Sequence, residues 1–468
     1  MNMNKIIDKI KNDELINIIK NHDENANVYL VGGIVRDLYL EKENFDKDIV
    51  VEKTDAEEFA KTLANAIDAT FIPLDEENKI YRLMLKDKIN CIDVANITGN
   101  SIEDDLKRRD LTINAIAVNL KTLEIIDVTG GLDDLKAKKI KHISEQNFID
   151  DPLIMLRAFR FQATLGFQLD DELTKIISIH FKNIRKSAVE RINYEFLKLF
   201  SGHFSETALI EMDKAGLLEE LLPSTVDLKK VPPNLHHHLN LFYHSIEVVK
   251  QIQLFYENGS PEIKAHLERN DFGGATRLAH LKLAGFLHDI GKFSTWTIEE
   301  DSGKHRFIKH DDVGAKMATN FMRSAKFSKK QIEYSSKMIK YHIYPSHVIS
   351  APELNEKIYM RFIRKMENDA IDVIALASAD RLSARGEVIT DEIVNKNIGG
   401  LNALLNFYLS VRDELEPLPK LLSGEEIMEL LNIKPSKELG KIVDSIKEAQ
   451  LSGEIVTKEQ AIAFITSK

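Results

Sequence analysis

The stretch from Asn27 to Val51, NVYLVGGIVRDLYLEKENFDKDIVV, decides how the first part of the chain folds. An apolar run breaks on two glycines, a short amphipathic segment follows, and two aspartates one residue apart lead into a second apolar run. The pattern predicts a strand over 28–33, a helix over 34–41 and a strand over 48–52. Glycines between a strand and a helix let backbone N–H groups approach a polyphosphate with no Cβ in the way, and the helix N-terminus adds partial positive charge. Asp46 and Asp48 flank one residue at a strand start, so their side chains share a face and suit a hard cation such as Mg²⁺. Either feature alone is weak; together, with Gly32 and Gly33 upstream, they describe a phosphate clamp beside a metal clamp.

Outward from this stretch, EEFAKTLANAI (57–67) reads as an amphipathic helix, and YRLMLKD (81–87) and INCIDVANI (89–97) alternate like paired strands. Asp93, in the second of these, can bring a third carboxylate from a neighbouring strand. Three acids around two Mg²⁺ ions suit in-line attack of a hydroxyl on an α-phosphate with pyrophosphate leaving. The segment RRDLTINAIA (108–117) adds arginines, whose guanidinium forks suit a triphosphate. Asp110 and Asn114 share a face if this segment is helical, where they can hydrogen-bond a ribose hydroxyl. The α/β head ends near 145. From DDPLIMLRAFRFQATLGF (150–167) onward the pattern is almost entirely helical, with breaks at 222–234 and at EPLPK (416–420), and with no internal repeat or low-complexity tract.

With 468 residues, 43% of them apolar, the chain exceeds one ordinary domain and should hold three or four modules. No run of about 18 uncharged apolar residues occurs, and acids stand where a signal peptide needs an apolar stretch, so a cytoplasmic protein without a membrane partner is expected. The single cysteine, Cys91, excludes an internal disulfide framework and a thiolate-rich metal site, and reads as a buried thiol. A net charge of −11 argues against indiscriminate coating of nucleic acid. Basic residues nevertheless cluster between 100 and 195, in LKRRD (106–110), KAKKIKH (136–142) and at Arg157, Arg160, Lys182, Arg185, Lys186 and Arg191, a track suited to selective contact with a phosphate chain.

The middle of the chain carries separate chemistry. Four histidines fall within HHHLNLFYH (236–244), His244 opening an apolar helix, and AGFLHDIGK (284–292) sets His288 and Asp289 side by side on a helix that also bears Lys292. His310, His342 and Asp380 follow on successive predicted helices. Imidazole and carboxylate together suit a divalent metal that activates water.

These motifs, VGGIVRDLYL…FDKDIVV, IDVA, EDDLKRRDLTINAIA, DDPLIMLRAFRFQATLGF and SAVERINYEFLKLF, in that order over about 27–222, resemble the class II tRNA nucleotidyltransferase and bacterial poly(A) polymerase family. LLSGEEIMELLNIKPSKELGKIVDSIKEAQLSGEIVTKEQAIAFI is similar to that family's tail. The resemblance implies a small polymerase-β-like α/β head (1–145), an all-α neck (146–222) and a helical RNA-binding tail (415–468), in a template-independent enzyme that adds C, C and A to tRNA 3′ ends from CTP and ATP. It further implies that Asp46 and Asp48 bind the catalytic metals with Asp93 completing the set, that Gly32, Gly33 and Arg36 hold the triphosphate, and that Arg109, Asp110 and Asn114 contact phosphate and ribose.

One departure bears on base choice. In the family an acid and an arginine three residues later read the incoming base; Asp151 matches the acid, but the arginine position holds Ile154, which cannot donate to a base edge. Arg157 lies two positions off the needed face, and with Arg160 it is a further candidate nucleotide contact. The linker from Asp93 to Asp105 is short, and in the family that loop influences the switch to the terminal A. Addition of C only, of A only, or of a poly(A) tail therefore stays open.

Residues 236–400 resemble the HD phosphohydrolase superfamily, placed here as a domain over 232–400. That resemblance implies a metal held by His244, His288, Asp289 and Asp380, with His310 and His342 at the extra positions of two-metal members, and phosphatase or cyclic phosphodiesterase activity at RNA ends. A different class of function, a metal phosphohydrolase whose head merely binds RNA, is less favoured because such a head needs neither three acids nor the arginine, aspartate and asparagine set. Residues 190–230 read as packing scaffold, with Glu190 and Arg191 placed to brace the base pocket. The oligomeric state is left open.

Overall fold

The computed structural model of the chain describes residues 3–415 and 419–466, so part of the expected break at EPLPK, residues 416–418, lies outside the described residues. Two compact units meet in sequence between Pro223 and Ser224. No helix among the described residues is long and apolar enough to cross a membrane.

The first unit opens with helices α1 (Met3–Asn12) and α2 (Glu14–Asn21) and is then built on seven strands: β1 (Asn27–Val31), β2 (Asp46–Glu52), β3 (Thr70–Asp75), β4 (Ile80–Met84), β5 (Cys91–Asn96), β6 (Ala117–Asn119) and β7 (Ile125–Ile126). They lie side by side in the order β3-β4-β5-β2-β1-β6-β7. β1 is an interior strand, antiparallel to both β2 and β6, which is why NVYLV is buried from Val28 onward with no polar face. It stops at Val31, short of the expected 33, because Gly32 adopts a φ of +74°, a turn that lets helix α3 (Gly33–Tyr39) begin one residue early. β2 starts at Asp46 rather than 48, so both aspartates lie within the strand.

β2 and β5 run parallel and are joined by a crossover through helix α4 (Ala56–Ile67), whose N-cap Asp55 accepts from the N–H of Glu57 and whose Phe59, Ala60 and Leu63 are buried. β3 left no periodic signal in the sequence because it is an edge strand with no fully buried residue. After β5 the chain enters α5 (Ile102–Lys107) through only a few residues. The segment around Asp110 is not the α-helix considered above. It is a single tight turn, Thr112–Asn114, closed by the Asn114 N–H donating to the Leu111 carbonyl at 3.0 Å. Helix α6 (Leu153–Leu165) packs against α7 (Val189–Phe200) and α8 (Ser205–Lys214). The near-total helicity expected beyond 150 is broken here by a short parallel pairing of Lys139–Ile140 with Gln168–Leu169.

The second unit is helical apart from a small hairpin, Trp296–Ile298 with His305–Phe307. Helix α9 (Leu241–Asn258) packs against α10 (Arg277–Leu287) and against a later helix, Ala370–Ser383, while α11 (His310–Ser324) packs on α12 (Lys329–Tyr341). We label Ala370–Ser383 α13. Every residue of α10 is buried, as is nearly all of α13, so these helices have no solvent face and form the centre of the unit. Buried charge is paired: Arg277 donates to Asp372 at 2.9 Å and to Asp369 at 2.6 Å, and Asp372 also accepts from the Tyr334 hydroxyl at 2.7 Å and contacts His266 Nε2 at 2.7 Å. Three tail helices, Gly424–Leu431, Lys437–Ser452 and Lys458–Thr466, enclose Ile427, Ile446, Ala461 and Ile465.

Candidate functional site

The register between β2 and β5 sets Asp48 directly opposite Asp93 and leaves Asp46 two residues back on the same face. Ligand oxygens of Asp46, Asp48 and Asp93 lie within 4.8 Å of one another, close enough to share a cation. Three carboxylates so close repel: burial, then Asp46, then Asp93 push the Asp48 carboxyl up to about 7. Asp93 is gripped by Arg82 of β4 in a bidentate pair, 2.7 Å at both oxygens, and the same guanidinium lies 3.6 Å from Asp46. Arg82 was not anticipated; alternation placed it opposite buried Tyr81 and Leu83, but only the pairing Arg82↔Asp93 brings it to the acids. Cys91 is buried, and its thiol donates to Asp46 at 2.9 Å; burial first, and then Asp46, push its pKa up to about 12.

The glycine turn lies against this cluster. A Cβ on Gly32 would fall 3.2 Å from both Arg109 Nη1 and Asp48 Oδ2, so the backbone, the arginine and the acid converge there. Arg109 is held by Asp105 one helical turn back, at 2.9 Å. Arg36, three residues into α3, donates to Asn114 Oδ1 at 2.6 Å, Asn114 donates to Asp110 Oδ1 at 3.1 Å, and Arg157 donates to Asp110 Oδ2 at 2.7 Å. Burial alone would raise the Asp110 carboxyl, but Arg157, Asn114 and the Leu111 N–H hold it below the ordinary range. Asp110 and Asn114 thus meet across a tight turn rather than along a helix face. Arg160 instead donates to Glu195 of α7 at 2.5 Å and stacks, like Arg36, on the ring of Phe161.

Asp151 stands just ahead of α6, accepting from the Leu153 N–H at 3.2 Å and from Arg191 of α7 at 2.9 Å. Ile154 is only 5% exposed, so this position serves packing.

The second unit assembles all six residues of the histidine and acid pattern. Asp289 is central: its Oδ2 is 3.1 Å from His288 Nε2 and 3.7 Å from His244 Nε2, and its Oδ1 is 3.3 Å from His310 Nε2 and 3.7 Å from His342 Nε2. Asp380 Oδ1 lies 3.1 Å from His244 Nε2 and 3.7 Å from His288 Nε2. The Nδ1 atoms of His288, His310 and His342 hydrogen-bond backbone carbonyls at 2.7, 2.8 and 2.7 Å, which places a donor proton at Nδ1 and turns each Nε2 toward the acids. His288 Nε2, His244 Nε2 and both Asp289 oxygens are buried without a well-formed hydrogen bond, a donor set that fits a divalent cation. Burial opposes charge on His288, but Asp289 and Asp380 override it and push its pKa up to about 10; burial and the neighbouring His288 push His342 down to about 4.

Two local features build this cluster. His288 and Asp289 do not lie within a helix as expected: α10 ends at Leu287, and tight turns carry the chain to Lys292, whose ammonium is 2.6 Å from Asp289. Gly291 lets the start of α11 approach, since a Cβ there would sit 2.3 Å from the His310 carbonyl oxygen. His237 stacks edge-on against His244 at 4.6 Å, and burial with Lys292 pushes its pKa down to about 2. The run of histidines at 236–238 was the only hint of it.

Comparison with known proteins accords with this geometry. Residues 28–141 match the family model described as the poly A polymerase head domain, residues 166–228 the one described as "Probable RNA and SrmB- binding site of polymerase A", and residues 241–385 the HD domain. The chain is 28% identical to the A-adding tRNA nucleotidyltransferase of Deinococcus radiodurans, over 93% of this chain and 94% of the relative. It is 29% identical to the CC-adding tRNA nucleotidyltransferase of Thermus thermophilus, over 93% and 92%. Its fold resembles that of the Thermotoga maritima CCA-adding enzyme complexed with tRNA-CCA, with a TM-score of 0.56 at 20% identity, covering 100% of this chain and 98% of the other. The chain thus carries, in order and across most of its length, matches to the poly A polymerase head domain, to that polymerase's RNA-binding site and to the HD domain, and it is similar over nearly all of its length to tRNA nucleotidyltransferases.

Proposed function

We propose that this protein transfers CMP or AMP from CTP or ATP to the 3′ ends of tRNA, and that its HD cluster hydrolyses phosphate esters at RNA ends. The observation that supports the first activity is the convergence of three carboxylates, a glycine turn and Arg109 at one point of the sheet. In this reading Asp46, Asp48 and Asp93 hold Mg²⁺, which supplies Lewis-acid activation of the attacking hydroxyl and neutralises charge on the leaving group. The RNA 3′ hydroxyl loses its proton to solvent as its oxygen bonds to the α-phosphorus, the bridge to the β-phosphate breaks, and pyrophosphate departs. Gly32, Gly33, Arg36 and Arg109 hold the triphosphate. Asp110 and Asn114, held by Arg157 and Arg36, orient the ribose; Arg160 braces α6 against α7; Asp151 meets the base.

In the second unit His244, His288, Asp289 and Asp380 would hold one divalent metal and Asp289, His310 and His342 a second, with Asp289 shared because its two oxygens face the two sets. Lys292 holds the Asp289 carboxylate in place. We assign the modules as a head over 1–145, a neck over 146–222, the hydrolase over 232–400 and an RNA-binding tail over 415–468, in a cytoplasmic enzyme. The relatives similar over their full lengths divide between A-adding and CC-adding enzymes. Extension of tRNAs lacking one, two or three 3′ nucleotides, with labelled CTP or ATP supplied separately, tests the reading. Addition of C, of A, of all three or of a long A tail names the activity, and no addition to any end refutes it.

A further inference from the structure

The family resemblance leaves one contact missing. An acid that accepts a hydrogen bond and a guanidinium that donates one would together match cytosine and adenine, which both present an amino donor beside a ring-nitrogen acceptor. Uracil and guanine present the reverse, a carbonyl acceptor beside an N–H donor, and would be repelled. Asp151 supplies the acceptor. Ile154 supplies nothing, and being almost completely buried it marks a position on α6 that faces the packed interior. Arg157 is committed to Asp110 at 2.7 Å, and Arg160 to Glu195 at 2.5 Å. Neither can leave without stranding a carboxylate that is about 10% exposed or less.

The structure assigns the missing donor to Arg191. It stands in the first turn of α7, and its Nη2 donates to Asp151 Oδ2 at 2.9 Å. The two side chains are among the more exposed of the charged pairs here, 54% for Arg191 and 37% for Asp151, so the pair is open to an incoming group rather than sealed. Arg157, in the second turn of the helix that Asp151 precedes, reaches Asp110 at 2.7 Å, so the pair borders the pocket that holds Asp110. An Asp–Arg pair is therefore present at the mouth of the nucleotide pocket, its two members drawn from α7 and the residue before α6 instead of from one helix. Arg191 keeps a second terminal nitrogen for the base: the amino group of cytosine or adenine donates to Asp151, and Arg191 donates to N3 of cytosine or N1 of adenine. The assignment rests on the nucleotidyl-transfer reading above and goes beyond it by naming the residue that selects the base.

The test uses the full-length protein, the tRNA end it extends, and its nucleotide beside the analogue lacking the ring acceptor, 3-deaza-CTP or 1-deaza-ATP. In the unaltered protein kcat/KM falls with the analogue by about 10- to 100-fold, the range for one lost base-edge contact. In Arg191→Ala the natural nucleotide loses a similar factor, the analogue loses little, and the gap between them closes. Arg191→Lys, which keeps a donor but not the fork, falls between the two and shows that the α7 turn tolerates substitution. Equal discrimination by the unaltered and the Arg191→Ala proteins overturns the assignment while leaving nucleotidyl transfer intact. Absence of transfer by the unaltered protein with any tRNA end removes the underlying reading, and this inference with it.

Discussion

Replacing Asp48 by asparagine should end nucleotide addition and yet make the metal-free head more stable. The carboxyl is held near pH 7 by burial and by Asp46 and Asp93, whereas an unfolded aspartate titrates near 3.9, a gap of about 3 units or about 4 kcal/mol. The folded state binds the proton more tightly, so this contribution is fully present below about pH 4, is lost as pH rises to about 7, and is constant above. Asparagine carries no such dependence. The gain from Asp48→Asn in EDTA should therefore be about 2 kcal/mol at pH 5.5, about 4 kcal/mol at pH 8, and near zero at pH 4. Mg²⁺ should narrow it by relieving the repulsion in the unaltered protein. The sole tryptophan, Trp296, lies in the second unit, so its fluorescence reports the wrong region. Amide exchange along β2 is the suitable readout. A gain that is the same at pH 5.5 and 8, or a loss at pH 8, would refute the reasoning.

Asp46→Ala should abolish nucleotide addition while metal binding by the second unit, followed by calorimetric titration with Mn²⁺, is unchanged; His288→Ala combined with Asp289→Ala should do the reverse, and loss of both properties from either change would contradict two independent sites. Gly32→Ala forces a side chain into a turn with φ of +74° and to within 3.2 Å of Asp48 and Arg109, so it should cost about 1–3 kcal/mol in the head and raise the nucleotide KM several-fold, checked by amide exchange and initial rates. Arg277→Leu removes the guanidinium partner of fully buried Asp372, leaving it Tyr334 and His266, and should destabilise the second unit by about 3–5 kcal/mol, read from Trp296 fluorescence on urea titration, with the amide protection of β2 unmoved.

Sequence by itself determined what short-range chemistry can encode. The spacing of Asp46 and Asp48 puts them on one face of any strand, the glycine pair allows the turn, and apolar repeats mark α4, α6 and α9 whatever they pack against. The six residues of the HD pattern were also legible one by one, because histidines and acids at successive helices are unusual in an apolar context. Tertiary structure decided which of them meet. That Asp93 faces Asp48 depends on a parallel register across a crossover, and Arg82 reaches both through a third strand, neither of which alternation along one strand can specify. Asp289 sits at the centre of its cluster because Gly291 admits the backbone of His310. Arg191 stands opposite Asp151, 40 residues away, because α7 packs on α6. Period is a local property of the chain, whereas register and helix packing are set by the whole core, and the chemistry of this protein is assembled at the second level.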